Sequence, residues 1–215
     1  MARFTWYALE QGLAPGIGKF DKADIPDGSV LAGQAEHWIA NFFLNSTLRG
    51  KFAQPFQTYV FNFLRRGRQA FAEHARARDL TLAFLEGDRQ SASKYVDALS
   101  HWEAFVGQSW HAYQLLAKPL DIKMFEKGDG SQAERLNAIY NAMKHVESRI
   151  ENGQILEGAT VPVWLENEGL RSIDCLFAFS ETREVLEEIA KWGNALMDPI
   201  TTRETIQRWS HENET

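Results

Sequence analysis

From residue 29 onward, apolar residues recur at three- and four-residue intervals along most of the chain, the spacing that lines one face of an α-helix. A first pattern carries Leu31, Ala35, Trp38, Ile39, Phe42 and Phe43, and a second carries Phe56, Tyr59, Val60, Phe63, Leu64, Ala70 and Phe71, with Pro55 suited to its first turn. After a break at Glu86-Gly87-Asp88, a third and strongly aromatic pattern runs through Tyr95, Leu99, Trp102, Val106, Trp110 and Tyr113 to end near Pro119. The fourth, Ser131 to Gly153, begins with a capping box: the Ser131 hydroxyl can accept from the N–H of Glu134, whose carboxylate reaches back, worth about 1 kcal/mol. Beyond Gly153 the period falls to two. Val161 to Leu165 and Ile173 to Phe179 flank Glu166-Asn167-Glu168-Gly169 and predict a β-hairpin over about 161–179. A last helix follows, with Ser180 as its expected cap, Glu181 and Glu184 in its first turns, and a stripe of Val185, Leu186, Ile189, Trp192 and Leu196 before Pro199.

These elements predict a mainly α fold: a bundle of four to five long helices with one β-hairpin inserted before the last long helix. No repeat or low-complexity linker divides residues 29–199, which are expected to form one helical-bundle domain. Residues 1–28, dense in Gly and Pro, are expected to form an irregular arm with a short strand over Phe4 to Leu9. Residues 200–215 read as a short capped segment and a polar tail.

Composition narrows the function classes. The 215 residues are 44% hydrophobic and a quarter charged, which excludes disorder. A net charge of −6 argues against global attraction to nucleic acid or anionic membrane and leaves room only for a local basic patch. One cysteine, Cys175, permits no internal disulfide, and the N-terminal sequence lacks the apolar core of a signal peptide, so a cytoplasmic protein is expected. The longest apolar runs fall far short of a membrane span, and no membrane association is expected.

The motif that most resembles chemistry is Asn141-x-x-Lys144-His145 in the fourth helical pattern. On a helical wheel Leu136, Ile139, Tyr140, Met143, Val146 and Ile150 form an apolar face, while Asn137, Asn141, Lys144, His145 and Ser148 form a polar stripe on which Asn141 and His145 are one turn apart. A bundle whose late helix carries N-x-x-K-H resembles the HEPN superfamily over roughly residues 30–197. The resemblance implies a homodimer that binds RNA or cleaves it without metal or other cofactor, in a bacterial defence or toxin–antitoxin setting. In such chemistry His145 would act as the general acid or base, Asn141 would orient phosphate or ribose, and Lys144 with Arg65 or Arg66 would neutralise the phosphate. Active members of that family also carry an arginine five to seven residues before the histidine. Here those positions hold Tyr140, Ile139 and Ala138, and the nearest preceding arginine is Arg135.

A basic strip in the second pattern can supply positive charge. FLRRGRQAFAEHARAR places Arg65, Arg66, Arg68 and Arg76 away from the apolar stripe, so Arg65, Arg66 and Arg68, with Asn137, are the candidate RNA-binding residues. His74 falls inside that stripe and is expected to be a hydrogen-bonded core residue. No E-x-x-H, H-E-x-x-H or paired cysteine occurs, so no metal site is expected. Two readings from other classes stay open: a protein-interaction module with aromatic helices at its interface, and a small-molecule pocket lined by Trp102, Trp110 and Tyr113.

Overall fold

In the computed structural model, which describes residues 3–87, 89–156, 158–200 and 202, the chain is mainly α-helical. Its frame is an antiparallel pair of long helices, α4 (Phe56–Glu86) and α5 (Ala92–Leu120). Cross-contacts fix the direction: Phe84 meets Tyr95, Trp102 Nε1 donates to Thr81 Oγ1 (2.9 Å), His74 packs on Phe105, and Arg66 reaches Gln108. The N-terminal half of α4 therefore lies beside the C-terminal half of α5. Pro119 sits one residue from the end of α5, where its missing N–H disturbs little.

The last long helix, α8 (Phe179–Leu196), closes the core against α4 and α5. Its packing depends on Trp38, the first residue of α3 (Trp38–Leu48). Trp38 is fully buried, donates from Nε1 to Asn194 Oδ1 (2.8 Å), and lays its ring against Gly193 and Gly67, where a Cβ would stand 2.4 and 3.2 Å from ring atoms. Two glycines thus form a slot on α8 and α4 that admits the indole. The pattern read as one helix from Leu31 to Phe43 is two: α2 (Ser29–Ala35) and α3, separated by Glu36 and His37.

Three further elements differ from the sequence-based expectation. The arm is ordered on the bundle, with α1 (Trp6–Gly12) in place of the expected strand. Thr5 Oγ1 accepts from the Ala8 N–H, and a cap of this kind outweighs the β preference of Phe4, Thr5, Trp6 and Tyr7. Ile17 and Phe20 are buried in the core, and the arm is pinned by Arg89 donating to Phe20 O (3.0 Å) and Arg78 donating to Ile25 O. The fourth helix is broken into α6 (Gln132–Lys144) and α7 (Val146–Glu151) at His145, which adopts φ −108°, ψ 28°. Arg149 of α7 pairs with Asp174 (3.0 Å), and Ile150 turns to solvent instead of extending the apolar face. The hairpin is a three-stranded antiparallel meander of β1 (Trp164–Leu165), β2 (Gly169–Arg171) and β3 (Leu176–Ala178). Leu165 pairs with Leu170, and Gly169 with Ala178. A Cβ on Gly169 would meet Phe177 O at 2.1 Å, so only glycine permits that register. Tyr95 Oη accepts from the Leu165 N–H (2.8 Å) and ties the meander to α5.

α8 starts one residue before Ser180, and its first turn is closed by the Glu181 carboxylate accepting from the Ala178 N–H (2.7 Å). Ser131 caps α6 as expected, with Glu134 N–H donating to its hydroxyl, but the box is not closed: the Glu134 carboxylate accepts from the Gly128 and Gly130 N–H groups, and the Ser131 N–H donates to Asp129 Oδ1 (2.7 Å) instead. Gly153 ends α7 in the left-handed region at φ 64°. His74 is 1% exposed, as its stripe position implies. Apart from Ile200 and Thr202, the expected C-terminal segment and tail lie outside the described residues.

Candidate functional site

The long-helix pair does not stay closed along its length. Where the N-terminal half of α4 faces the C-terminal half of α5, a cleft of about 620 Å³ opens to solvent. Tyr59, Asn62, Arg65 and Arg66 line it from α4, three and four residues apart and so on one helix side. From α5 come Trp110, His111, Gln114, Leu115 and Lys118, again at helical spacing, with Asp121, Ile122 and Met124 closing the far end. Helix α6 backs the cleft. Tyr140 packs against Trp110 and edge-on against His111 (5.4 Å between centroids), with its hydroxyl 3.5 Å from His111 Nε2. Lys144 Nζ lies 5.9 Å from the Tyr140 ring centre, in cation–π range.

The cleft gathers positive charge that is not paired off. Arg49, Arg78, Arg135, Arg149, Arg171 and Arg183 all stand within ion-pair distance of a carboxylate. Arg65 and Arg66 make none among the described residues: Arg66 donates to the Gln108 amide oxygen (2.9 Å), and Arg65 to Asn62 Oδ1 (3.4 Å). With Lys118 they set three fixed cations against one lining carboxylate, Asp121. In a chain with six more acidic than basic side chains, that excess is local. The His111 pKa is lowered, first by partial burial and then by the Arg66 guanidinium, with Lys144 adding to the effect and a hydrogen bond with Gln114 opposing it. His111 is accordingly neutral at pH 7, and an anion placed beside it favours its protonation.

The residues singled out in the sequence divide into three groups. Arg65 and Arg66 line the cleft. Arg68 sits on the opposite flank of α4, in a second groove described below. Asn137, Asn141, Lys144 and His145 all lie on α6 or at its end, outside the cleft lining. Asn141 donates to Asn137 Oδ1 (3.2 Å), so the two amides partly satisfy one another, and His145 is an exposed helix-terminating residue. Arg135 cannot complete an Arg–His pair from upstream, because its guanidinium is held by Glu181 at the start of α8 (Nε to Oε1, 2.7 Å).

Of the three aromatics proposed for a pocket, Trp102 and Tyr113 are core and only Trp110 borders the cleft. Cys175 lies just before β3, half-buried, with its thiol pKa raised chiefly by burial, an inert setting. His111 is the site residue that sequence reasoning passed over. Its signal was the polar series His111, Gln114, Lys118 at i, i+3, i+7 on the aromatic helix. Among the described residues, no three His, Cys, Asp or Glu side chains are placed to hold a metal ion, and no helix is long and apolar enough to cross a membrane. A scan against protein-family models found no match, and searches of curated proteins and of solved structures found none either.

Proposed function

We propose that the protein binds RNA, with a phosphate seated in the cleft between α4 and α5. The observation that carries this reading is the pair Arg65 and Arg66, free of carboxylate partners, opening into the same recess as Lys118 and His111. Arginine forks match phosphate oxygens in pairs, and each neutralised phosphate releases condensed counterions, which is the dominant source of nucleic-acid affinity. Tyr59, half-buried at the rim, offers a ring face to an unstacked base, and Asn62 and Gln114 offer amide groups to base edges. The resemblance of the N-x-x-K-H helix to HEPN proteins points to the same ligand class from a different residue set.

The reading is one of binding rather than cleavage. Cleavage of RNA at its 2′-hydroxyl needs a base, an acid and a cation around one phosphate. The upstream arginine is engaged with Glu181, His145 lies outside the cleft lining, and the lining holds no second histidine beside His111.

The test is fluorescence anisotropy of a labelled single-stranded RNA titrated with protein at several salt concentrations. Binding is expected at low salt with a log–log slope of about −0.7 per phosphate contact. Arg66→Ala or Lys118→Ala should each weaken binding several-fold and flatten that slope. Absence of binding at low salt, or binding indifferent to both substitutions, overturns the proposal.

A further inference from the structure

Arg65 borders two recesses. It stands on the exposed ridge of α4, and on the ridge's other flank a groove of about 450 Å³ runs between α4 and the α2–α3 segment. That groove is lined by Arg65 and Arg68 at its mouth, by small side chains including Ala32, Ala72 and Ala75, and by Glu36. Arg68 is exposed, makes no ion pair among the described residues, and lies one turn beyond Arg65, so their Cβ atoms are roughly 5–6 Å apart. The cleft on one flank and the groove on the other thus share a single unpaired guanidinium at the crest between them.

We infer that a single nucleic-acid strand crosses α4 at Arg65, with one stretch in the α4–α5 cleft and the next in the groove beside α2 and α3. This rests on the RNA-binding reading above and adds the form of the ligand: an unpaired oligonucleotide, not a mononucleotide and not a duplex. Three physical points favour it. A helix is about 10 Å across with its side chains, so even at the stacked spacing of about 3.4 Å per nucleotide roughly three residues are needed to pass over it. The cations sit at the mouths of recesses, which admit a flexible strand, whereas a duplex is gripped by cations presented on a convex or groove-filling surface. Small side chains on the groove wall leave space for a sugar–phosphate backbone to lie close to α4. Glu36 is the acid in the groove lining, and its charge opposes the phosphate there, which gives the inference a sign that can be read.

The experiment measures the affinities of oligouridylates of two, four and eight nucleotides for the intact protein and for Arg66→Ala, Arg68→Ala and Glu36→Gln variants, each checked for native circular dichroism. Expected is a rise in affinity of tenfold or more between two and eight nucleotides. Arg68→Ala should weaken the octamer about tenfold while leaving the dinucleotide within twofold, and Glu36→Gln should strengthen the octamer alone. Arg66→Ala should weaken every length. Equal affinity at all lengths, with Arg68→Ala silent on the octamer, overturns the crossing strand and leaves the cleft reading standing. Equal or tighter binding of a blunt RNA duplex overturns it as well. If no length binds at low salt, the cleft reading falls and takes the crossing with it.

Discussion

Acid should loosen this protein through one buried ring. His74 is 1% exposed, edge-on to Trp102 and Phe105, and its Nε2 lies 3.1 Å from Thr182 Oγ1. The Thr182 hydroxyl donates to Phe179 O (2.6 Å), so it accepts from His74, which fixes the Nε2–H tautomer of a neutral imidazole. Burial pushes the His74 pKa down from 6.5 to about 4, with Arg78 contributing in the same direction and Asp27 opposing. A depressed pKa on a base means that the unfolded chain binds the extra proton first. Stability from this group is therefore complete above pH 6.5 and is lost as pH falls from about 6.5 to about 4. The drop of about 2.5 pH units corresponds to about 3 kcal/mol, with a limiting slope of about 1.4 kcal/mol per pH unit inside the window. His74→Gln keeps a donor for Thr182 and cannot titrate. Urea unfolding at half-unit steps from pH 7.5 to 4, followed by circular dichroism, should show parent and variant converging by about 3 kcal/mol as acid is added. Parallel stability curves would refute the neutral-core assignment. His74→Asp, which puts a carboxylate among aromatic rings, should cost several kcal/mol at neutral pH.

Other consequences are equally direct. Gly193→Ala drives a methyl group into the Trp38 ring and should destabilise by about 3 kcal/mol, lowering Tm by roughly 6–12 °C, whereas Gly107→Ala, with nothing within 4 Å on α5, should stabilise by about 0.5–1 kcal/mol in the same melting experiment. RNA affinity should rise as pH falls, because a bound phosphate raises the lowered His111 pKa and draws in a proton; His111→Asn should remove that dependence in anisotropy titrations from pH 7.5 to 5.5. His145→Ala should change neither stability by more than about 0.5 kcal/mol nor RNA affinity by more than twofold, and a tenfold loss of binding would return the site to the end of α6.

The parts of the fold legible in the sequence were those settled by local chemistry repeated over many residues. The periodic runs that start at Phe56 and Tyr95 fall in helices 56–86 and 92–120, ended at the expected break after Glu86 and next to Pro119, and Ser131 and Gly153 mark ends that the structure keeps. Errors fell where one tertiary contact outweighed local preference. The β-prone Phe4 to Leu9 became a helix once Thr5 could cap it and Leu9 could be buried. The apolar series continuing through Val146 and Ile150 suggested an unbroken helix, but the chain turns at His145, and Arg149 of α7 pairs with Asp174 in the loop before β3. A third strand of three residues, β2, hid in the segment read as turn and spacer because Gly169 carries no side chain to register a pattern.

The site was half visible for a related reason. A helical wheel shows that Arg65 and Arg66 leave the apolar stripe, but it cannot show what stands opposite them. That partner surface is set by the direction and register of the α4–α5 pair, which bring residues whose numbers sum to about 174–183 side by side, as Arg66 with Gln108 and Phe84 with Tyr95 show. Once the pair is antiparallel in that register, His111 and Lys118 must fall beside Arg66 and Tyr59, some fifty residues away in sequence. His145 carries the more conspicuous motif, yet it ends its helix at an exposed position outside the cleft lining. The cleft has two walls, and a wall on each side strengthens a guanidinium–phosphate contact by displacing the water that screens it. On the binding reading proposed above, the site is set by helix pairing: it lies where α4 and α5 part to form the cleft and carry Arg65 and Arg66, which have no carboxylate partner among the described residues.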